Sequence, residues 1–247
     1  MNYSDTIKVE TSFNGFIAHR GLSLVKVENT IESFTYSSKK NYYGLECDLH
    51  STKDNFILIS HDNSLKRVFD VDKNITDETF ESIRSLKLIK DGNCYQIPTL
   101  SEYIDVAKST NKEIIVELKE TLSKENIDLI LETIRNKNYL SKTTFISFYP
   151  GYLTYIREQE KYVKLLMLLE FFDRGILEMC IQFNIGIDIN YKLLNKDIVN
   201  LCHKYNLIVN CYTVDDKDIA LKLIEMGVDY ITTDCLEKLW INSSFQQ

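Results

Sequence analysis

Apolar, β-rich runs punctuate the chain at 16–19, 44–49, 56–60, 113–118, 144–148, 163–169, 185–189, 207–214 and 229–232, separated by stretches that mix polar and apolar positions. Their shortness suits strands with buried faces. Helical spacing of apolar residues predicts helices over 29–40, 100–109, 124–136, 195–205 and 216–226. Strands alternating with helices predict a parallel sheet.

One connection breaks the alternation. Thr52-Lys53-Asp54-Asn55 is too short for a parallel crossover, which needs about a dozen residues. The second and third runs therefore form a hairpin, and setting one arm aside leaves eight parallel strands, the strand number of a (β/α)₈ TIM barrel. An open doubly wound sheet fits less well, because Gly21 stands alone where a glycine-rich fingerprint would follow the first strand. With the hairpin turn centred near Asp54, His61 falls opposite Cys47, close to Glu46 and Asp48.

A length of 247 residues, 44% of them hydrophobic, fits a single domain over 1–247; prolines occur only at 98 and 150, and no linker or internal repeat interrupts the chain. A formal charge of −7 gives no general attraction to nucleic acid or to an anionic membrane, so phosphate binding has to be local. The densest apolar stretch, 163–172, contains Lys164 and Glu170 and falls far short of the about 20 residues that span a bilayer, so no stable membrane insertion is expected. The six cysteines form no C-x-x-C pair and read as free thiols. Residues 1–8 lack the basic-then-apolar order of a signal peptide, and the expected location is cytoplasmic.

Four histidines are present, and two of them, His19 and His61, end strand-like runs on either side of Glu46-Cys47-Asp48. Glu46 and Asp48, two apart on a strand, leave the same face. At the C-terminal end of a barrel strand, two such carboxylates suit a hard divalent cation, Mg²⁺ or Ca²⁺. Glu117 ends another run, and Lys119 follows on its face. Three carboxylates on one ion leave excess negative charge, which Lys119 and Arg20 help balance against an anionic substrate such as a phosphate ester. His19 and His61 then read as an acid/base pair beside the metal. A single strand-end carboxylate is more often a solvated terminus, and a single histidine a satisfied core residue; four such features on adjacent strand ends favour a site. His50 continues the Glu46, Asp48 alternation towards the turn, which suits a structural or exposed role, and His203 reads as a surface or packing residue of a helix.

The order of short motifs is also informative: His19-Arg20-Gly21, Glu28-Asn29-Thr30, Glu46-x-Asp48, Thr52-Lys53-Asp54, His61-Asp62, Ile97-Pro98-Thr99-Leu100, Glu117-x-Lys119, Tyr212-Thr213-Val214 and Gly227 to Asp234. Over residues 16–234 this order resembles the glycerophosphodiester phosphodiesterase family. The resemblance implies a (β/α)₈ barrel that hydrolyses a glycerophosphodiester to glycerol 3-phosphate and an alcohol. It implies Glu46, Asp48 and Glu117 as ligands of one Ca²⁺ or Mg²⁺, His19 and His61 as the acid/base pair, and Arg20 and Lys119 as phosphate contacts, with Tyr212 at the substrate. It also implies an insertion over the barrel mouth at about 62–111. Attack by the glycerol 2-hydroxyl, giving a cyclic phosphate that water opens, is implied as well; the residues alone do not separate this from direct attack by water, nor the acid from the base.

Five positions depart from the family pattern. Val27, Asn55 and Leu236 stand where proline, glycine and proline are usual, and Tyr212 and Asp215 replace tryptophan and asparagine. Tyrosine offers a smaller aromatic surface and a hydroxyl that needs a partner. Two other functions compete. A lysophospholipase D-like phosphodiesterase acting on lysophospholipids would need an apolar groove, for which Phe69, Phe80, Leu86 and Leu88 are available unless they are packing. A non-catalytic phosphodiester-binding barrel would be favoured by loss of a histidine or ligand, and none is lost.

Overall fold

The computed structural model describes residues 6–8 and 13–239 and joins nine strands in one sheet. They are β1 (Gly15–Ala18), β2 (Gly44–Ser51), β3 (Ile57–Ile59), β4 (Glu113–Leu118), β5 (Thr143–Ser147), β6 (Lys164–Leu169), β7 (Gly186–Asn190), β8 (Val209–Tyr212) and β9 (Tyr230–Thr233). All but β3 run parallel, and β1 pairs with both β2 and β9, which closes an eight-stranded barrel. The fold is the (β/α)₈ barrel expected from the sequence, with one extra strand outside the ring.

That extra strand sits at a specific gap. β1 pairs with β2 only through Ile17–Gly44 and Ala18–Leu45 and then ends. Higher up, the same edge of β2 is taken by β3 in antiparallel register, Leu49 with Ile59 and Ser51 with Ile57. Ser60 N continues the ladder to Asp48 O at 3.0 Å, so His61 comes down opposite Cys47, as the turn at Asp54 predicts. Asn55 holds φ 66°, a left-handed turn conformation that asparagine tolerates.

Outer-ring helices are Ile31–Ser38, Leu100–Ser109, Lys124–Asn136, Pro150–Gln159, Arg174–Phe183, Lys196–Lys204 and Lys217–Met226. Several begin on side-chain caps: Thr30 accepts from Ser33 N, Thr99 from Glu102 N and Ser123 from Asn126 N. The turns back into the strands place Asn111, Asn138, Asn184 and Asn206 at φ between 50° and 59°. Asparagine thus takes the left-handed role in a chain that holds only eight glycines.

Strand alternation sorts the side chains. Leu45, Cys47, Leu49, Val116, Ile187, Ile189, Val209, Cys211 and Ile231 face outward into the main core with the helices, whereas Ile17, Ile115, Ile146, Leu166 and Leu168 fill the barrel interior. Glu46, Asp48, Glu117, Asp188, Asn210 and Thr232 share the inward parity with these residues.

Residues 62–98 form the insertion, with short helices Lys66–Phe69 and Phe80–Arg84 and a hairpin of Leu88–Lys90 with Asn93–Tyr95. It has its own cluster, Leu58, Leu65, Phe69, Ile75, Ile83, Leu88, Tyr95 and Ile97, against which Phe80 and Leu86 pack. The four apolar residues named as a possible lipid groove are therefore packing. Its two stems meet: Ile59 N donates to Pro98 O at 2.9 Å, and Leu58 bridges Thr99. Helix Leu100–Ser109, inside the span of about 62–111 expected for the insertion, packs into the main barrel core through Leu100, Tyr103, Ile104 and Ala107. Among the described residues, no helix is long and apolar enough to cross a membrane.

Candidate active site

His19 is the first residue beyond β1, and its Nδ1 lies 2.7 Å from Asp234 Oδ1, which also accepts from the Ser23 hydroxyl. Burial acts to raise the Asp234 pKa, but His19, Ser23 and Arg20 together outweigh it and hold the carboxyl below its usual range. Asp215 Oδ1 in turn accepts from Asp234 N at 2.7 Å and from Thr233 Oγ1 at 2.9 Å. The side chain at 215 thus orders the turn that holds His19, through an oxygen that aspartate and asparagine share. Leu236 N donates to Thr233 Oγ1 at 3.0 Å, a bond that proline at 236 could not make.

Arg20 follows in the left-handed region at φ 49°, which turns its backbone N–H onto Glu46 Oε2 at 2.9 Å. Gly21, at φ 76°, is required beside it: a Cβ there would stand 2.4 Å from Ser33 Oγ. The Arg20 guanidinium lies 3.1 Å from Glu28 and 3.6 Å from Asp48.

Glu46, Asp48 and Glu117 bring ligand atoms within 4.8 Å of one another, and all three residues are buried. Asp48 Oδ2 accepts from Asn29 Nδ2 at 2.8 Å, and Lys119 Nζ lies 2.8 Å from Asp48 Oδ1 and 2.7 Å from Glu117 Oε1. The Lys119–Asp48 contact is an ion pair without hydrogen-bond alignment, and Glu46 Oε1 has no partner at all. Burial, with the charges of Asp48 and Glu117 added, pushes the Glu46 pKa well up, and burial with Asp48 pushes Glu117 up to about 8 against the pull of Lys119. At Asp48 burial is outweighed by Lys119 and Arg20, which hold it well below its usual range. Buried oxygens lacking donors, on carboxylates that repel one another, fit a divalent cation.

His61 arrives from the hairpin with Nδ1 2.6 Å from Asp62 Oδ1. Burial lowers its pKa; Lys119 and Arg20 add to this, and Asp48 opposes it. Its carbonyl oxygen is 3.1 Å from His50 Nε2, and His50 Nδ1 is 2.9 Å from Thr121 Oγ1. A carbonyl only accepts, so His50 carries its proton on Nε2 and takes the threonine hydroxyl on Nδ1. His50 is 2% exposed, which makes it structural.

His19, Arg20, Glu46, His61, Glu117, Lys119 and Tyr212 line one cleft of about 230 Å³, together with Phe148, Asp188 and Thr232. Asp48 is outside this lining but in contact with Arg20 and Lys119, which belong to it. Tyr212 gives its hydroxyl to Glu170 Oε1 at 2.9 Å and the Leu169 carbonyl at 3.1 Å, so the hydroxyl has its partner and the ring faces the cleft. His203 meets Asp229 Oδ2 at 3.0 Å on the surface. Sequence reasoning missed Asp234, Glu28 and Asn29 as supporting groups, although each sits in a quoted motif, and it missed Asp188 and Arg67 altogether.

Known proteins share the sequence pattern and the fold. A glycerophosphodiester phosphodiesterase of Caldanaerobacter subterraneus subsp. tengcongensis is 27% identical over 233 residues, covering 90% of this chain and 95% of that protein. The crystal structure of a glycerophosphodiester phosphodiesterase from Parabacteroides distasonis superposes with TM-score 0.76 at 26% identity, covering 89% of this chain and 92% of the other. An Oleispira antarctica phosphodiesterase, solved with the product sn-glycerol-3-phosphate, shares the fold with TM-score 0.81 at 24% identity, over 90% and 93% of the two chains. The profile of the glycerophosphoryl diester phosphodiesterase family matches residues 19–238, and the chain belongs to that family.

Proposed function

We propose that the chain hydrolyses glycerophosphodiesters to glycerol 3-phosphate and an alcohol, using a divalent cation, Ca²⁺ or Mg²⁺, held by Glu46, Asp48 and Glu117. The observation that carries this reading is the buried carboxylate trio, two of whose members, Glu46 and Glu117, line the same cleft as two histidines, each tied through Nδ1 to a carboxylate. When bound, the cation would polarise a phosphoryl oxygen and offset its charge.

The chain's own groups account for the rest. Arg20 and Lys119 add positive charge where the phosphate would sit. With Nδ1 of His19 on Asp234 and Nδ1 of His61 on Asp62, Nε2 is the working nitrogen of each ring. One imidazole takes the proton of the attacking hydroxyl, and the other gives a proton to the leaving alcohol. The ring of Tyr212 walls the cleft on the far side. Six cysteines without a C-x-x-C pair support a reducing, cytoplasmic setting.

The test is release of glycerol 3-phosphate from glycerophosphocholine and glycerophosphoethanolamine by chelator-stripped protein, with and without added Ca²⁺ or Mg²⁺. Metal-dependent release is expected. No release with either metal overturns the reading, and turnover of lysophosphatidylcholine alone assigns the chain to the lysophospholipase D reaction instead.

A further inference from the structure

Opposite Glu46 and Asp48 in the ring of eight strands stands β7, which carries a carboxyl that the chemistry above leaves unused. Asp188 is 1% exposed, points inward between the outward-facing Ile187 and Ile189, and lines the catalytic cleft. Its Oδ1 has no hydrogen-bond partner. On the next strand Asn210, the Cα partner of Asp188, donates Nδ2 to Thr232 Oγ1 at 2.9 Å, while its own Oδ1 is equally unpartnered. Tyr212, beside them, spends its hydroxyl on Glu170 and the Leu169 carbonyl.

The wall facing the acidic centre thus presents two unpartnered acceptor oxygens, Asp188 Oδ1 and Asn210 Oδ1. Leaving such atoms buried and unpaired is unfavourable, and burial pushes the Asp188 carboxyl up to about 7 against the pull of its hydrogen bond with Asn210. A ligand carrying hydroxyl groups relieves this; a quaternary ammonium has no hydrogen to give. Of the two halves of a glycerophosphodiester, the glycerol half brings two hydroxyls.

We propose that Asp188 is a specificity-determining residue that accepts a hydrogen bond from a hydroxyl of the substrate's glycerol moiety. The phosphate would then lie at Arg20 and Lys119, with the polyol reaching across the cleft to β7 between Leu168 and the ring of Tyr212. This proposal rests on the glycerophosphodiesterase reading.

Calorimetric binding of glycerol 3-phosphate and of propyl phosphate tests it, with the same divalent cation present throughout. The two ligands match in charge and carbon number and differ in the hydroxyls. Unaltered protein is expected to prefer glycerol 3-phosphate by about tenfold or more. Asp188→Leu is expected to erase that preference while propyl phosphate binding stays unchanged. Asp188→Ala gives the same readout should the leucine variant fail to fold, which thermal melting reports. Equal binding of the two ligands by unaltered protein, or an unchanged preference in a folded variant, overturns the proposal. Failure of the phosphodiesterase reading shows separately, as absent hydrolysis by a protein that still discriminates the two ligands.

Discussion

Arg67 closes a fork on Glu28, Nη1 to Oε2 at 2.8 Å and Nη2 to Oε1 at 2.7 Å. Its Nε also holds Asp62, Glu28 also holds Arg20, and Asp62 holds His61. A residue of the insertion thereby links the arginine and the histidine on the two sides of the cleft mouth. Such two-point geometry suits the planar guanidinium and not an ammonium. Arg67→Lys and Arg67→Ala are therefore expected to lower kcat by about 10–100-fold, as loss of an orienting partner does. Metal affinity, measured by calorimetry, should change little, because Arg67 touches none of the three carboxylates.

His19→Ala and His61→Ala are each expected to lower kcat by about a hundred- to ten-thousandfold. The two variants should separate on a substrate with a good leaving group, such as a nitrophenyl phosphodiester. A leaving group that needs no proton rescues the variant lacking the acid and leaves the variant lacking the base slow. Equal rescue of both would exclude a division of labour between the rings.

Glu46→Gln and Glu117→Gln each remove one of three mutually repelling carboxylates. Metal affinity should fall while the metal-free protein melts at a higher temperature. Calorimetric titration with Ca²⁺ or Mg²⁺ and a thermal melt in chelator check the two halves of this expectation; a lowered melting temperature would contradict it.

The same repulsion sets a pH dependence. Glu117, at about 8 in the fold against an ordinary 4.5, and Asp188, at about 7 against 3.8, hold protons more tightly folded than unfolded. The share of metal-free stability that these two groups carry should therefore be fullest near or below the ordinary carboxyl range and be lost as pH rises towards about 8. Asp48 acts in the opposite sense, since its pKa is depressed: its contribution is present above 3.8 and lost in more acidic solution. Thermal melts across pH with chelator should fall on the alkaline side, and saturating divalent cation should flatten that fall.

His50→Ala would strand the His61 carbonyl and the Thr121 hydroxyl, both held by a residue only 2% exposed. Denaturant unfolding should show a loss of about 1–3 kcal/mol. Because the lost contact is on the His61 backbone, kcat should fall as well, more than KM rises.

The hairpin was legible because its four-residue connection forbids a crossover, and symmetry about Asp54 then placed His61 at Cys47. Glu46, Asp48, Glu117 and Lys119 were legible because alternation along one strand keeps like-facing residues together. Arg67 was not, since its partner Glu28 lies 39 residues away and only the folded insertion brings them together. Asp188 was hidden for a different reason. Ile187-Asp188-Ile189-Asn190 alternates as a half-exposed strand would, and only closure of the barrel turns the polar face inward.

The meeting of the insertion's stems at Ile59–Pro98 and Leu58–Thr99 has a consequence for how such a barrel changes over time. A loop pinched at its neck alters the closure entropy only slowly as it lengthens, so residues beyond the neck can be exchanged without re-registering any barrel strand. The freedom is unequal along the loop. Asp62 and Arg67 are committed to His61 and Glu28, whereas the hairpin at Leu88–Tyr95 has no such tie. Divergence should therefore concentrate in the second half of the insertion, where a new rim can be tailored while the catalytic floor is inherited intact.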